Sequence, residues 1–248
     1  MSKLSLSKNY KFIVFTDLHL PIKEGDREFD NFLTILEKCS HISEHIVLLG
    51  DIFEVWSSVS FYNHSNGLKL LEKVNSLKTK TKISLVEGNW DFFICKNYGE
   101  YFSLCSERFL NFELEGKTIT FVHGHYFGDI QTTVLNFVLT NPISYLTWKT
   151  ECLENLEKKI AKKFLNKDTS PLPENYDLSK AEKKLKKKFS NSDIIFCGHF
   201  HEFSKREKLV FLKDYKSSGQ FYGITEKELY LLKFEKEIEP EKILDLTK

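Results

Sequence analysis

Five short motifs rich in carboxylate, amide and imidazole groups are spread along the 248 residues. They are Asp17-Leu18-His19, Gly50-Asp51-Ile52-Phe53-Glu54, Gly88-Asn89-Trp90-Asp91, His123-Gly124-His125 and Gly198-His199-Phe200-His201. Oxygen and imidazole ligands suit Mn, Fe, Zn or Mg and are not typical of Cys-rich structural zinc sites. One carboxylate can bridge two cations, and cations about 3.5–4 Å apart can hold a hydroxide at neutral pH. The set therefore predicts hydrolysis of a phosphoester or a phosphoanhydride.

Short β-rich runs must position these motifs. Such runs cover 11–15, 46–49, 82–86, 118–122 and 193–197, and each is followed at once by one of the motifs. Apolar residues recur at helical spacing over 29–36 and 68–77, which predicts helices between the first three runs. Alternating strands and helices favour βαβ units, whose ligands bind beyond the carboxyl ends of the strands. We therefore expect the five motifs to converge on one crevice.

The segment 128–190 has a different character and is predicted to be a helical insertion within a single domain covering 1–248. It combines an apolar, aromatic stretch with a basic run at 158–163 and a Lys-rich helix over 178–189. Two interpretations stay open, a buried helix pair or an interfacial segment attracted to anionic lipid. Further β-like runs follow at 209–212 and 229–234, and the charged stretch from 235 onward is expected to fray.

Composition narrows the class of protein. Lys and Arg total 36 against 35 Asp and Glu, so the net charge of +1 argues against a protein that coats nucleic acid. Hydrophobic residues at 41% suffice for a real core. The apolar run at 12–15 is far shorter than the ~18 residues of a spanning helix and is not followed by a signal-peptide pattern. Five cysteines form no CxxC pair, so we expect no disulfide framework and a reducing, cytosolic compartment.

The motif order resembles that of the calcineurin-like metallophosphoesterase family along nearly the whole sequence. It runs DxH, GDxxE, GN followed by D, a histidine near the middle of the sequence, and a late GHxH. The resemblance implies an α/β fold, a sandwich of mixed β-sheets flanked by helices, with the helical insertion as a cap. It also implies a metal-dependent phosphoesterase or pyrophosphatase. Within the family the motifs are most similar to those of the UDP-2,3-diacylglucosamine hydrolases of lipid A biosynthesis, in which a similar insertion caps the acyl-chain pocket and touches the membrane.

The resemblance implies two metal sites that share one carboxylate. The first would be held by Asp17, His19, Asp51 and His201. The second would be held by Asp51, Asn89, His123 and His199. Asp51 is then the bridge, and Asp51, Asn89 and His123 are the implied catalytic groups. The cofactors would be two divalent ions. Members of the family usually use Mn²⁺, and Zn²⁺, Fe²⁺ or Mg²⁺ are alternatives.

Two positions depart from that pattern. Trp90 stands where the compared hydrolases have Arg and many other members have His, and His125 stands where Asp is usual. An indole cannot neutralise a phosphate, but it can stack on a base or line an apolar pocket. Trp90, Asp91 and His125 are therefore candidate substrate contacts. For Asp91 a position behind the ligands, where a hydrogen bond would orient one of them, is the favoured interpretation, whereas His125 could lie behind the ligands or contact the substrate.

Three functional hypotheses follow. The first is a cytoplasmic hydrolase, peripheral on the membrane, that splits UDP-2,3-diacylglucosamine into UMP and 2,3-diacylglucosamine 1-phosphate. The second is a soluble metallophosphoesterase for a nucleotide or another phosphodiester or phosphomonoester, with Trp90 stacked on a base. The third is a non-enzymatic, metal-stabilised interaction module, which the complete ligand set disfavours. The expected partner is a phosphate ester and not a nucleic acid.

Overall fold

Parallel pairing joins the strands that precede the first three motifs. The computed structural model describes residues 9–57, 65–127 and 178–246. The parallel strands are β1 (Tyr10–Phe15), β2 (Ser43–Leu49), β4 (Lys82–Val86) and β6 (Leu104–Ser106). Antiparallel strands extend the sheet beyond β1, namely β12 (Gln220–Ile224), β13 (Glu228–Phe234) and β14 (Ile238–Asp245). The order is β14-β13-β12-β1-β2-β4-β6, which places the ends of β1, β2 and β4 side by side.

Two helices cover the outer face of this sheet. Helix α1 (Arg27–Ile42) begins at Asp26, whose side chain accepts a hydrogen bond from the Glu28 N–H, as an N-cap does. Helix α2 (Ser65–Leu77) follows β2 and leads into β4. Both helices pack apolar stripes, including Phe32 and Leu71, into a core shared with the sheet. Since each helix connects two parallel strands, the expected βαβ arrangement is confirmed.

A second sheet carries the last two motifs. Its strands are β7 (Phe109–Leu114), β8 (Lys117–Val122), β9 (Ile194–Cys197), β10 (Ser204–Arg206) and β11 (Leu209–Phe211), in the order β10-β11-β9-β8-β7. An apolar layer that includes Val14, Val47 and Phe196 fills the space between the sheets. Helix α4 (Leu178–Lys188) covers the far face of the second sheet. The predicted sandwich of mixed sheets flanked by helices is therefore correct.

Short elements complete the ends of the sheets. They are β3 (Trp56–Ser57), β5 (Asp91–Phe92), α3 (Ile94–Tyr98), α5 (Tyr215–Ser218) and two 3-10 turns, Gly99–Tyr101 and His125–Phe127. Strands β3 and β5 pair in parallel beside the metal-ligand motifs. Most of the predicted insertion, 128–177, lies outside the described residues. No helix in the described part of the protein is long and apolar enough to cross a bilayer.

Two expectations were wrong. The stretch from 235 onward does not fray, because β14 pairs with β13 along its length and Leu246 is buried behind it. A disulfide joins Cys95 in α3 to Cys105 in β6, although no disulfide was expected. The turn at Gly99–Tyr101 brings these elements together, and neither the number nor the spacing of the cysteines reveals that contact. The cysteine-based argument for a reducing compartment therefore no longer holds.

Candidate metal centre

The motif residues converge at the carboxyl ends of the strands, as expected, and many of them have an unusual backbone. Five of the seven residues predicted to bind metal have positive φ angles, namely Asp17, His19, Asp51, His199 and His201. Non-glycine residues rarely adopt this region, and such conformations persist where the surrounding structure holds them. Backbone hydrogen bonds supply that support, from Asp17 N to Gly50 O and from His19 N to Asp51 O. The strained turns therefore lock the first two motifs against each other.

A first group of ligands forms around Asp17. The oxygens and nitrogens offered by Asp17, His19 and His201 lie within 4.8 Å of one another. Oδ2 of the fully buried Asp17 accepts hydrogen bonds from Thr16 Oγ1 (2.5 Å) and from the His199 N–H (3.0 Å). Oδ1 accepts none in the described structure and lies 3.2 Å from His201 Nε2. A buried carboxylate oxygen without a hydrogen bond is costly, so Oδ1 is suited to a cation.

A second group forms around His123, Asp51 and His199, whose ligand atoms also lie within 4.8 Å of one another. The Nδ1 atom of His123 contacts the Leu49 carbonyl at 2.9 Å, which turns Nε2 toward the centre. Asp51 Oδ2 lies 3.4 Å from His123 Nε2 and 3.8 Å from His19 Nε2. Because this oxygen is close to an imidazole of each group, Asp51 lies where a bridging ligand would lie.

Asn89 completes the second group through its amide oxygen. Oδ1 lies 3.3 Å from His123 Nε2, and the same end of the amide is 3.0 Å from His199 Nδ1 and 3.3 Å from Asp51 Oδ2. An oxygen among three potential acceptors is stabilised by a cation placed between them. Without a cation, a rotated amide would direct its two N–H bonds toward these three atoms and accept from Trp90 Nε1 at 3.0 Å. The surroundings of Asn89 therefore fit a metal ligand.

The carboxylates of the centre are held in the ionised state. Burial is the largest single influence on the pKa of Asp51 and raises it, but the charge and hydrogen bond of His123, together with His19, outweigh burial and lower that pKa to about 2. The pKa of Asp17 is lowered as well, because His123 and His201 together outweigh the effect of its burial. In return, Asp51 and Asp17 overcome the burial of His123 and raise its pKa to about 10. A divalent cation would take the place of the His123 proton, so this chemistry fits metal binding.

The three candidate substrate contacts differ in how deeply their side chains are buried. Trp90 is half-buried, and its backbone N–H donates to Asp51 Oδ1 at 2.8 Å. Asp91 is buried and accepts hydrogen bonds from the N–H groups of Asp51 (2.7 Å), Gly88 (2.9 Å) and Ile52 (3.2 Å). Its carboxylate thus braces the loops that carry Asp51 and Asn89. His125 is also buried, beside His123. Of the three candidates, only Trp90 offers appreciable surface.

Glycines next to the ligands permit the close approach of the loops. A Cβ atom on Gly88 would lie 2.2 Å from Asp51 Oδ1, and one on Gly198 would lie 2.1 Å from Thr16 Oγ1. These distances are shorter than any side chain tolerates. The glycines beside Asn89 and His199 are therefore part of the site, as their positions in the sequence suggested.

Sequence reasoning missed Thr16 and Asp214. Thr16 is adjacent to Asp17, and its position between a strand and a ligand was the available signal. Asp214 follows β11 and is buried. Its Oδ1 atom lies 4.0 Å from Nδ1 of His201. No motif or spacing marked it, because the contact depends on the packing of the turn after β11 against the end of β1.

The geometry brings together two adjacent groups of N and O ligands that could hold metal ions. Comparisons with known proteins indicate the class of protein. The family model described as calcineurin-like phosphoesterase matches residues 10–203. A curated relative, UDP-2,3-diacylglucosamine hydrolase of Shewanella loihica, is 32% identical over 120 residues, 47% of this chain. The match spans about half of the relative, 47% of its length.

Solved structures also align with most of the protein. Yfce, a phosphoesterase from E. coli, is 13% identical with a TM-score of 0.46, covering 94% of this chain and 97% of its own. A protein of unknown function from Aquifex aeolicus, AQ665, is 15% identical with a TM-score of 0.45. The alignment covers 84% of this chain and 91% of AQ665.

The chain belongs to the calcineurin-like phosphoesterase family, because the family model matches more than half of its length. This membership supports the expected class of enzyme, a metal-dependent hydrolase. It also agrees with two adjacent groups of residues that could hold metal ions.

Proposed function

We propose that the protein hydrolyses a phosphoanhydride at a centre of two divalent metal ions, with UDP-2,3-diacylglucosamine as the substrate. The products would be UMP and 2,3-diacylglucosamine 1-phosphate. The observation that carries the proposal is the position of Asp51 Oδ2 between imidazoles of the two ligand groups. Similarity to a UDP-2,3-diacylglucosamine hydrolase over about half the sequence supports the choice of substrate.

The metal ions are proposed to be held by the seven residues of the two groups. The first would be held by Asp17, His19, Asp51 and His201, and the second by Asp51, Asn89, His123 and His199. Mn²⁺ is the proposed metal, and Zn²⁺, Fe²⁺ or Mg²⁺ offer the same preference for N and O ligands. When bound, two such ions supply an activated water and stabilise the charge that develops on the phosphate.

The residues of the protein supply the geometry for this chemistry. The ionised Asp51 keeps the two ligand groups at a fixed separation, while Asp91 holds the Asp51 backbone from behind. His123 is fixed by its contact with the Leu49 carbonyl, which keeps its Nε2 directed at the centre. The half-buried Trp90 provides an apolar surface beside Asn89. Preorganised groups of this kind need little rearrangement during the reaction.

Trp90 also favours an anhydride over an alkyl ester. An indole N–H is not an acid near neutral pH, so Trp90 cannot protonate a departing alkoxide. A sugar phosphate or a nucleotide leaves as a stable anion and needs no such proton. We therefore expect rates that depend strongly on the acidity of the leaving group.

The exposed face of α4 supports contact with an anionic membrane surface. Its lysines recur at i, i+3, i+4, i+7 and i+8, and all five are exposed, namely Lys180, Lys183, Lys184, Lys187 and Lys188. Residues at this spacing lie along one side of a helix. Each lysine near an anionic bilayer contributes about 1 kcal/mol to binding. We propose a peripheral position on the cytoplasmic face of the membrane, where a lipid-linked substrate is accessible.

A soluble phosphoesterase is the second candidate, favoured by the partly exposed indole of Trp90. An aromatic side chain beside the metal ligands could stack on a nucleobase. Under this alternative the enzyme would act on nucleotides or other phosphodiesters or phosphomonoesters without lipid.

UMP release from UDP-2,3-diacylglucosamine, measured with purified protein and Mn²⁺, tests the proposal. The Asp51→Ala variant should lose activity by at least about 10³-fold, because the two ligand groups lose their shared carboxylate. Asp30→Ala removes an exposed aspartate in α1 and serves as the matched control. Release that is fast in wild type and in Asp30→Ala, but absent in Asp51→Ala, supports the proposal.

Other outcomes point to the alternatives. Hydrolysis of an aryl phosphodiester or a nucleotide without release of UMP from the lipid would favour the soluble phosphoesterase. A protein that binds two metal ions but hydrolyses none of these compounds would instead fit the metal-stabilised interaction module.

A further inference from the structure

Asp214 is a buried carboxylate outside the predicted ligand set, only 4% exposed. It follows β11 and caps the short helix α5. Its Oδ2 accepts a hydrogen bond from the Ser217 N–H at 2.6 Å, and its Oδ1 accepts one from Ser217 Oγ at 2.9 Å. An N-cap needs only a side-chain acceptor, which Asn supplies as well as Asp. The capping role therefore does not account for a full negative charge at this position.

The negative charge of Asp214 faces a candidate metal ligand. Oδ1 of Asp214 lies 4.0 Å from Nδ1 of His201, while Nε2 of His201 lies 3.2 Å from Asp17 Oδ1. The imidazole is thus located between two buried carboxylates and presents one nitrogen to each. At 4.0 Å the contact with Asp214 is electrostatic and not a hydrogen bond. A cation in the first ligand group would exclude the proton that Asp17 draws to Nε2, and the negative charge of Asp214 would then favour the tautomer with the proton on Nδ1.

The turn that Asp214 caps also supports the backbone of the first ligand group. The Tyr215 N–H donates to the Thr16 carbonyl at 3.0 Å, and the Lys216 N–H donates to the Asp17 carbonyl at 3.2 Å. Asp17 and His201 both have positive φ angles, 51° and 54°. Such residues need support from their surroundings to keep their conformation. One turn therefore contacts both ends of the first ligand group.

We propose that Asp214 is a positioning residue for the first metal ion. Its charge selects the His201 tautomer that presents Nε2 to the metal, and the turn that it caps holds Asp17 in register. This inference rests on the proposed metal centre, but it concerns metal binding and does not depend on the identity of the substrate. Carboxylates behind metal-bound histidines typically change metal affinity by 10- to 100-fold.

The Asp214→Asn variant separates charge from capping, because the amide still accepts the hydrogen bond from Ser217 N–H. We expect Mn²⁺ titration calorimetry to show one of two sites weakened by at least about 10-fold and the other unchanged. The unfolding temperature should stay close to that of wild type. Asp214→Ala should weaken the same site and, because the cap is lost, also lower the unfolding temperature.

Asp30→Asn, an exposed substitution in α1, is the matched control and should leave both sites unchanged. Wild-type affinity at both sites in Asp214→Asn would overturn the inference. A wild-type protein that binds no metal would overturn both this inference and the proposed function. A wild-type protein that binds two ions, loses one site in Asp214→Asn and releases no UMP would overturn only the proposed substrate.

Discussion

Removal of the Cys95–Cys105 disulfide should destabilise the fold by a predictable amount. The two cysteines are separated by 10 positions, so the bond closes a short loop that contains α3 and the turn after it. The loop-closure relation for a ring of this size gives about 3 kcal/mol of stabilisation. For a protein of this length, each kcal/mol changes the unfolding temperature by roughly 2–4 °C. The Cys95→Ser and Cys105→Ser double variant should therefore unfold roughly 6–12 °C below the oxidised wild type.

The loop is coupled to the metal centre through Glu87. The Cys95 N–H donates to Glu87 Oε1 at 2.6 Å, and the Glu87 N–H donates to the Ser106 carbonyl at 2.9 Å. Together with the disulfide, these bonds form a closed ring at the end of β4, two residues before Asn89. Opening the ring gives the Asn89 loop more freedom, so metal affinity at the second group should fall along with stability.

Circular dichroism during heating, with Mn²⁺ titration in parallel, measures both effects. Both cysteines are partly exposed, so a dithiol reductant added to wild type should reproduce the double variant. The same reductant should have no effect through the described cysteines that remain in the double variant, since Cys39 and Cys197 form no disulfide. Equal unfolding temperatures for oxidised wild type and the double variant would refute the loop-closure reasoning. Equal metal affinities would refute the coupling through Glu87.

Three further predictions concern other parts of the molecule. Gly88→Ala should abolish measurable metal binding by calorimetry, because its Cβ would meet Oδ1 of Asp51, the carboxylate shared by both proposed sites, at 2.2 Å. Gly99→Ala, with its nearest neighbour at 3.7 Å, is the control. Burial and Lys82 lower the pKa of His45 from 6.5 to about 4, so its contribution to stability is intact above pH 6.5 and is lost as the pH falls toward 4. Urea unfolding at pH 7.5 and pH 5 should therefore show wild type losing about 2 kcal/mol more than His45→Gln, and equal losses would contradict this. Replacing Lys183 and Lys187 by Gln should weaken binding to anionic vesicles roughly 30-fold, whereas replacing the exposed Lys227 and Lys236 should not.

Local patterns were sufficient to predict most of the strands and the ligand motifs. The run 82–86 is rich in apolar and β-branched residues, and the strand Lys82–Val86 has the same bounds. Strand ends in such folds meet at one edge of a sheet, so the convergence of Asp17, Asp51 and Asn89 follows from their positions after β1, β2 and β4. The spacing of apolar residues likewise predicted both crossover helices.

Contacts between distant segments could not be predicted in the same way. The charged residues of 235–245 give no hydrophobic signal, yet this stretch pairs with β13 as the edge strand of the sheet. Cys95 and Cys105 face each other only because the turn between them reverses the backbone direction. Asp214 reaches His201 only because the turn after β11 packs against the end of β1. Each of these depends on tertiary packing and not on local sequence.

The backbone of the ligand residues shows how the centre is kept in shape. Left-handed conformations of Asp17, His19 and Asp51 cost of order 1 kcal/mol or more each, and the sequence gives no sign of them, since glycine is the residue that favours this region. Hydrogen bonds from Asp17 N, His19 N and Leu20 N to the facing loop at residues 50–52 compensate for this cost. These bonds involve only the protein itself, so the ligand turns do not need a metal ion to hold them. Metal removal by a chelator should therefore abolish activity while circular dichroism remains close to that of the loaded protein.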